Sequence, residues 1–435
     1  MSSTSKRFGA ASPTRFVSAA LCAAATLLCG NASAQQSDSS TKGAGGSTLI
    51  DRSLRTEEIN LLSLTGDSIV YEDELGRRRQ ATLAGFVALT SPRADDGAAA
   101  GDARGRSRTG RGAPPPPGYI ELTDGQRFPG MPGATAGDEE VVVWSHPLFG
   151  EVRFALENVL SVVMNKAVLD EAQRDRQFQF SGGADDELLL INGDSVRGFL
   201  VSLGDPIEIE VDGEIVTIPP ELVAAARLAN PPTGGLQGLV VWLEDGSVAV
   251  VTSLDASERR GLSLRLPQGS PVETDLHELR AVAFDAGRLR PLASLEMIGE
   301  RAIERRVLLH PARPLTDASK AAPPMLNAPD IEFPGPLAAK WRLPGGARRF
   351  GAVAEMPMDA LPWGDCEIVV LVDGEERLRE RLGAGAVQLE LSVPLEGMTA
   401  DAQELEIRVE PGEYGPVNDR VILRRPILLI EKKTN

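Results

Sequence analysis

The chain has 435 residues, a formal net charge of −17 and an aromatic content of 4%. An acidic chain of this kind is repelled by nucleic acid and by anionic membrane surfaces, so we expect neither as a partner. The length predicts two to four domains. Long amphipathic helical patterns are scarce, which favours an all-β protein.

The first 34 residues have the layout of a secretory signal peptide. Three basic residues begin it, an uncharged apolar run follows from Phe16 to Cys29, and the small residues Ala32-Ser33-Ala34 suit cleavage. The apolar run is shorter than the roughly 20 residues that cross a bilayer, although a retained anchor is the alternative. We therefore predict export, to the periplasm or outside the cell, with no membrane span after cleavage.

Cleavage would leave Cys366 as the last of the three cysteines. No intrachain disulfide could then form, although an exported chain meets an oxidising compartment. We expect Cys366 to be a buried small hydrophobic residue, because most unpaired cysteines are. The stability of the mature chain must then come from core packing.

Three segments lack apolar periodicity and are interpreted as connections. Residues 35–52 are rich in Ser, Gly and Gln and are predicted to be a flexible lead-in. Residues 92–118 are rich in Pro, Gly and Arg and are predicted to be a disordered linker, because such a composition cannot bury a core. Residues 166–186 are predicted to connect two β-repeats.

Four segments between these connections each contain an apolar strand that ends in a tight polar turn. The turns contain Gly66, Gly125, Gly193 and Gly246. Asn-Gly and Asp-Gly supply the positive φ angles that two-residue hairpin turns need. Each segment closes with apolar residues at every third position, which suggests a single helical turn before a last strand. The predicted β-repeats are residues 53–91, 119–165, 187–232 and 233–289.

Each repeat has the length of four or five short strands. The repeats resemble the small SH3-like or Lsm-like barrels of exported bacterial proteins. This resemblance implies a tandem of small β-barrels, paired edge to edge, that present surfaces to other exported proteins.

Residues 290–435 predict a different β-domain. Alternating strands separated by turn residues run from Ala339 to Leu343, from Cys366 to Val372 and from Val421 to Ile430. Strands at this spacing are typical of a β-sandwich. The predicted fold class is therefore all-β: tandem small β-barrel repeats followed by a C-terminal β-sandwich.

The order of features in this last domain resembles the NPCBM family of carbohydrate-binding modules. The resemblance rests on Pro291–Leu295, Trp341–Val353, Glu367–Gly374 and Glu404–Val409. It implies a galactose-binding-like jelly roll and a glycan ligand. The loop from Glu413 to Arg420 keeps an aspartate but lacks the His and Trp that the family carries there, which leaves a structural protein without glycan binding as the alternative.

Sugar sites combine aromatic faces with a few planar polar groups. Trp363 lies between Pro362 and Gly364 in a predicted loop, where binding residues concentrate. A second loop supplies the remaining candidates. The predicted carbohydrate-binding residues are Trp363, Tyr414, Asn418 and Asp419. The alternative role for Trp363 is a plug that covers the end of the sandwich, whereas Trp144, Trp242 and Trp341 lie in strands and are expected in the core.

Catalytic residues are not predicted. His146, His277 and His310 are far apart in sequence, and no zinc-ligand spacing, nucleophile elbow, phosphate loop or dinucleotide motif occurs in context. We expect no cofactor and no metal. The function predicted first is an exported, non-catalytic accessory protein with a carbohydrate-binding module; an envelope scaffold without glycan binding ranks second, and a secreted hydrolase ranks last.

Overall fold

The computed structural model describes residues 46–91, 118–133, 140–165, 168–169, 184–303, 311–315, 323–395, 404–415 and 417–431. The predicted signal peptide, nearly all of the linker at 92–118 and most of the connector at 166–186 lie outside these residues, as does His310. Among the residues described, no helix is long and apolar enough to cross a membrane.

Antiparallel strands and short 3₁₀ turns make up the described fold, which confirms the all-β prediction. Four β-repeats come first, and two stacked sheets follow them. In each repeat the first strand pairs with both the second and the last strand, while the third and fourth strands extend the sheet as a meander. The fourth strand therefore lies at an edge of each repeat.

The strand bounds of the repeats are as follows. Repeat 1 contains β1 (Ser47–Asp51), β2 (Thr56–Thr65), β3 (Ser68–Asp73), β4 (Arg78–Thr82) and β5 (Phe86–Thr90). Repeat 2 contains β6 (Gly118–Leu122), β7 (Arg127–Pro132), β8 (Val141–His146), β9 (Gly150–Ala155) and β10 (Val159–Val163). Repeat 3 contains β11 (Asp186–Leu190), β12 (Ser195–Leu203), β13 (Ile207–Val211), β14 (Glu214–Ile218) and β15 (Val223–Arg227). Repeat 4 contains β16 (Val240–Leu243), β17 (Val248–Val250), β18 (Ser253–Ser257), β19 (Gly261–Arg265), β20 (Val272–Thr274) and β21 (Leu279–Ala283).

A three-residue 3₁₀ turn precedes the last strand of every repeat, which confirms the single helical turn predicted from the apolar spacing. The four turns are Leu83–Gly85, Leu156–Asn158, Pro220–Leu222 and Leu276–Glu278. In repeat 4 the second strand is divided into β17 and β18.

The first repeat begins earlier than the sequence predicted. β1 lies inside the segment 35–52 that we expected to be a flexible lead-in, and it pairs with β2 and β5. Its apolar residues Leu49 and Ile50 are buried. The strand was missed because only five residues of strand character follow a long Ser/Gly-rich stretch.

The turn glycine assigned to repeat 1 was also the wrong one. Gly66 lies between β2 and β3, whereas Gly125, Gly193 and Gly246 lie between the first and second strands of their repeats. At the equivalent place in repeat 1, Leu54 adopts a positive φ of 55°. This conformation costs a non-glycine residue about 1 kcal/mol or more. Because leucine stands here instead of glycine, the sequence does not mark the turn.

Leu54 also lies in contact with the sandwich. Leu54 is 3% exposed, and a Cβ atom at Gly351 of the sandwich would lie 2.5 Å from the Leu54 Cβ. The adjacent Thr56 hydroxyl donates a hydrogen bond to Glu390 at 2.8 Å. The first turn of repeat 1 thus packs against the sandwich, and the absence of a side chain at Gly351 leaves space for Leu54.

The repeats pair with one another through their last strands. β10 of repeat 2 pairs antiparallel with β15 of repeat 3, with Val162 opposite Ala226. β5 of repeat 1 pairs in the same way with β21 of repeat 4, with Leu89 opposite Val282. A buried apolar cluster runs through all four repeats, so the described repeats share one core.

The C-terminal domain consists of two five-stranded antiparallel sheets, one of which carries an extra short strand. Its strands are β22 (Leu289–Pro291), β23 (Met297–Ala302), β24 (Arg313–Pro314), β25 (Ile331–Phe333), β26 (Leu337–Arg342), β27 (Ala347–Glu355), β28 (Cys366–Val372), β29 (Glu375–Leu382), β30 (Gln388–Pro394), β31 (Glu404–Pro411) and β32 (Val421–Ile430). One sheet has the order β24-β25-β32-β27-β30, with β22 also paired to β32. The other has the order β23-β26-β31-β28-β29.

Side chains between these two sheets form a second core, as a β-sandwich requires. Trp341 is 1% exposed within it, and Trp144 and Trp242 are equally enclosed in the repeats, which confirms the prediction for all three. Cys366 is fully buried as expected, and burial raises the pKa of its thiol to about 12. A third apolar cluster joins the repeats to the sandwich.

Candidate functional site

Two aromatic residues are exposed among the described residues of the sandwich, and both lie on loops at one end of it. Trp363 lies in the loop between β27 and β28, and Tyr414 lies in the loop between β31 and β32. Their exposed fractions are 66% and 69%. Backbone hydrogen bonds from Trp363 and Gly364 to the Ala360 carbonyl fold the first loop back on itself. Trp363 is therefore not a plug over the end of the sandwich.

Asp365 holds the two loops together. Its carboxylate accepts hydrogen bonds from Nε and Nη2 of Arg381, at 2.6 and 2.7 Å, and from the backbone N–H of Glu413 at 2.8 Å. The side chain is 6% exposed. The Arg381 guanidinium and the backbone N–H groups of Glu413 and Tyr414 hold the pKa of Asp365 below its usual value. A buried carboxylate bound in this way is charged at neutral pH and fixes the backbone beside Tyr414.

Close backbone packing strengthens this contact. A Cβ atom at Gly412 would lie 2.5 Å from the Asp365 carbonyl oxygen, and one at Gly364 would lie 3.0 Å from the Asn418 carbonyl oxygen. Both glycines therefore allow the loops to approach more closely than any larger residue would.

Asn418 and Asp419 occupy different environments on the second loop. Asn418 is exposed and has a positive φ of 59°. Asp419 is 1% exposed, and its Oδ1 atom accepts the backbone N–H of Asp365 at 3.4 Å. The structure thus brings together all four predicted site residues at two adjoining loops, but places the Asp419 carboxylate beneath the surface, where it helps to hold the loops.

Two further apolar residues are exposed on the same loops. Met358 is 66% exposed on the first loop, and Val417 is 50% exposed on the second. We call the exposed residues Met358, Trp363, Tyr414, Val417 and Asn418 of these two loops the loop platform. It combines aromatic and apolar faces with a carboxamide, which suits a ligand that has both C–H faces and hydroxyl groups.

Sequence reasoning missed the residues that support the platform. Asp365 and Arg381 are 16 residues apart, and only the register of β28 against β29 brings them together. Met358 and Val417 carried no pattern that distinguishes an exposed residue from a buried one.

A second cluster of chemistry-bearing residues lies where repeat 2 contacts repeat 4. His146 Nε2 is 2.9 Å from Ser247 Oγ and 3.6 Å from Asp245 Oδ2. His146 Nδ1 accepts the backbone N–H groups of Leu148 and Phe149, at 2.9 and 3.1 Å. A catalytic triad needs the serine and the carboxylate on opposite ring nitrogens, so these three side chains do not have that arrangement.

The His146 cluster is also closed to solvent. His146 is 2% exposed and Ser247 is fully buried. Burial lowers the pKa of His146 to about 4, although the nearby Asp245 carboxylate opposes that change. A neutral imidazole in this place joins two repeats. Within the described ranges no group of three or more His, Cys, Asp or Glu residues could hold a metal ion.

No family model matches the sequence, and no curated protein matches it either. Among solved structures, the chain is similar to a CBM51 from Clostridium perfringens GH95 in complex with methyl-galactose, at 13% identity and a TM-score of 0.25, over 32% of this chain and 99% of that one.

Two larger structures are also similar. One contains the M60 catalytic domain with the CBM51-1 and CBM51-2 domains of Clostridium perfringens ZmpB, at 10% identity and a TM-score of 0.26, over 87% of this chain and 45% of that one. The other is an exo-β-1,3-galactanase from Phanerochaete chrysosporium with galactose, at 9% identity and a TM-score of 0.21, over 86% and 98%. Likenesses at these TM-scores do not establish a family, and the NPCBM and SH3-like resemblances stay predictions.

Proposed function

We propose that this chain is an exported, non-catalytic accessory protein that binds a glycan through the loop platform. The observation that supports this most directly is the exposure of Trp363 and Tyr414, at 66% and 69%, on two loops that Asp365 holds in contact. Exposed apolar side chains that are grouped, rather than scattered singly, mark interaction sites. The signal-peptide layout of residues 1–34 supports export.

The ligand that fits the platform is a neutral or weakly charged saccharide. Sugar C–H faces stack on aromatic rings, and the Asn418 carboxamide can donate and accept hydrogen bonds with vicinal hydroxyl groups. The nearby charged side chains are paired, because Arg420 contacts Asp359 and Arg381 contacts Asp365. The platform therefore offers stacking and hydrogen bonding rather than a free ionic partner.

The test is retention of the full mature chain on a panel of immobilised polysaccharides and on a glycan array. We expect Trp363→Ala and Tyr414→Ala each to weaken retention about tenfold or more, because ring stacking dominates such sites. Phe199→Ala is the matched control, since Phe199 is 68% exposed but lies in repeat 3. All three variants should keep the melting temperature of the wild type within about 1 °C, since exposed residues change stability little.

Two outcomes would replace the proposal with one of the alternatives. A folded wild-type chain that is retained on no glycan would favour the envelope scaffold. Hydrolysis of a glycan substrate, abolished by one carboxylate substitution with the fold intact, would favour the hydrolase.

A further inference from the structure

Repeats 2 and 4 contact each other through the strand that follows the first turn of each repeat. Arg127 of β7 pairs antiparallel with Val248 of β17. Each of these residues lies two positions after the turn glycine of its repeat, which is Gly125 in repeat 2 and Gly246 in repeat 4. An antiparallel contact between equivalent residues has local two-fold symmetry, which is the geometry of an interface between two identical surfaces.

The first turns of three repeats are in contact with another part of the chain. Between repeats 2 and 4, Gln126 Oε1 accepts the backbone N–H of Val250 at 2.8 Å, which satisfies a donor on the outer edge of β17. In repeat 1 the sandwich covers the turn, because the Thr56 hydroxyl donates to Glu390 at 2.8 Å. An uncovered strand edge recruits another strand, so such contacts protect these three repeats.

Repeat 3 presents the equivalent surface without a cover. All five residues from 191 to 195 are exposed. β12 pairs with β11 from Ser195 to Gly198, and its pairing with β13 begins only at Phe199. Within the described ranges no strand pairs with the second edge of Ser195–Gly198, which corresponds to the edge that β7 and β17 use to contact each other.

The uncovered turn is apolar where the other three are not. The N–H of Ile191 donates to the carbonyl oxygen of Leu222 at 2.9 Å, and both side chains are 44% exposed. The same backbone bond in the other repeats joins polar residues or glycine: Arg52 to Gly85, Thr123 to Asn158, and Glu244 to Glu278. Thr123 and Asn158 lie in a cavity of about 360 Å³ that Leu266 of repeat 4 also lines, so this position borders the contact between repeats 2 and 4.

The charges on this surface suit a second copy of the chain. Asp194 and Arg197 occupy the positions of Gln126 and Val250, which are bonded to each other between repeats 2 and 4. In a two-fold dimer with that geometry, the Asp194 carboxylate of each copy would accept the backbone N–H of Arg197 in the other copy and lie beside its guanidinium. The net charge of −17 opposes association, but charges more than about 8 Å apart are largely screened at physiological ionic strength.

We propose that two copies of the chain associate through the first turn of repeat 3 and the open edge of β12, with the two-fold geometry of the contact between repeats 2 and 4. β12 of one copy then pairs antiparallel with β12 of the other, with Ser195 opposite Ser195. Ile191 and Leu222 are removed from water at the margin of this contact. The surface is separate from the loop platform and does not depend on glycan binding.

The first test is a cysteine cross-link at the two-fold axis, in the full mature chain. Opposed residues of an antiparallel pair have Cβ atoms about 4.5 to 5.5 Å apart, so Ser195→Cys places two thiols where a disulfide closes with little movement. Cys366, which the chain already carries, is buried. We expect mild oxidation to convert Ser195→Cys to a covalent dimer. Ser253→Cys, at an exposed serine in repeat 4, is the matched control and should stay monomeric.

The second test is sedimentation velocity of the unmodified chain at about 1 to 100 µM, where a contact of this size should give a monomer–dimer equilibrium. Ile191→Lys should weaken the dimer about tenfold or more, because it replaces an apolar contact with a desolvated charge. Leu75→Lys is the matched control, since Leu75 is 73% exposed but lies in repeat 1, and should change nothing. The proposal is overturned if the wild type is monomeric throughout this range, if Ser195→Cys and Ser253→Cys cross-link equally, or if Ile191→Lys weakens the dimer no more than Leu75→Lys.

Discussion

Two buried ionisable groups, Asp365 in the sandwich and His146 where repeat 2 contacts repeat 4, behave in opposite ways. In the sandwich, Asp365 is buried but remains charged, because a bidentate arginine and two backbone N–H groups stabilise the carboxylate. Where repeat 2 contacts repeat 4, His146 is buried and neutral, because removal from water disfavours the imidazolium more than the nearby Asp245 carboxylate stabilises it. Both pKa values are lowered, yet the first shift preserves a charge and the second removes one.

The difference in charge between Asp365 and His146 matches the structure that each residue stabilises. The sandwich has to fix two irregular loops, which lack a regular ladder of hydrogen bonds, and a charged group can bind several backbone donors at once. Repeats 2 and 4 are already joined by the pairing of β7 with β17, so the neutral His146 ring only has to pack, donate one hydrogen bond to Ser247 and accept the N–H groups of Leu148 and Phe149. A buried carboxylate holds irregular backbone in the repeats too, because Asp73 accepts the N–H groups of Leu75 and Arg77 and hydrogen bonds from the side chains of Arg77 and Arg79.

The largest effect that tests this comparison is expected from Asp365→Ala. Removal of the carboxylate leaves the N–H groups of Glu413 and Tyr414 without their acceptor, which should lower the free energy of unfolding by about 3 kcal/mol. Urea denaturation measures the loss. Hydrogen exchange should also become faster at residues 412–415.

Asp359→Ala is the control for this prediction. Asp359 belongs to the same loop and pairs with Arg420, but its side chain is 70% exposed. Exposed ion pairs contribute little, so a change within about 0.5 kcal/mol is expected. Equal losses in the two variants would show that Asp365 is no more than an ordinary surface partner.

The second prediction concerns acid stability of the repeats. The unfolded chain protonates His146 near pH 6.5, whereas the folded chain does so only near pH 4. The unfolded state therefore binds more protons between these values, and the contribution of His146 is complete above pH 6.5 and is lost as the pH falls towards 4. The loss should reach roughly 2 to 3 kcal/mol.

The measurement is urea unfolding of the wild type and of His146→Gln at pH 7 and at pH 4. The variant should lose less stability between the two pH values than the wild type does, since it lacks the titrating ring. His277→Gln is the control, because His277 is 71% exposed on the surface of repeat 4. If His146→Gln and the wild type lose the same free energy on acidification, His146 is not the neutral junction described above.

The sequence predicted the regular parts of both regions because local signals determine them. β32 lies at Val421–Ile430 as expected, and the turn before β29 has positive φ at Asp373 and Gly374 as its Asp-Gly sequence requires. The 3₁₀ turns followed from the apolar spacing. In these places, side-chain alternation and turn chemistry are sufficient to specify the conformation.

Features that depend on distant contacts could not be predicted. Leu54, which has a positive φ, lies against the sandwich. Ser247 is hydrogen-bonded to His146, which is 101 residues away in the sequence. The exposed strand β14 has the composition of a buried strand, so the pattern alone gives no sign that its edge is open. The platform rings were predicted from their loop positions, but the buried group that joins their loops was not.

The smallest effect concerns the close approach of the platform loops. A methyl group at Gly364 would lie 2.5 Å from the Met356 sulfur and 2.8 Å from the Ala360 carbonyl oxygen, so Gly364→Ala forces backbone to move. We expect a loss of about 1 to 2 kcal/mol in urea denaturation, typical of overpacking, together with weaker glycan retention. Glycan retention should fall because the Trp363 loop and the Asn418 loop would separate.

Gly385→Ala is the matched control, because no atom lies within 4 Å of its added methyl group and its φ is outside the left-handed region. Loss of a glycine there restricts the unfolded chain, so stability should stay the same or rise by about 0.5 kcal/mol. The two substitutions are chemically identical, but Gly364→Ala should lower the free energy of unfolding and Gly385→Ala should not. If Gly364→Ala is as harmless as Gly385→Ala, the loops are not held in close contact, and the charge on Asp365 would then be all that joins them.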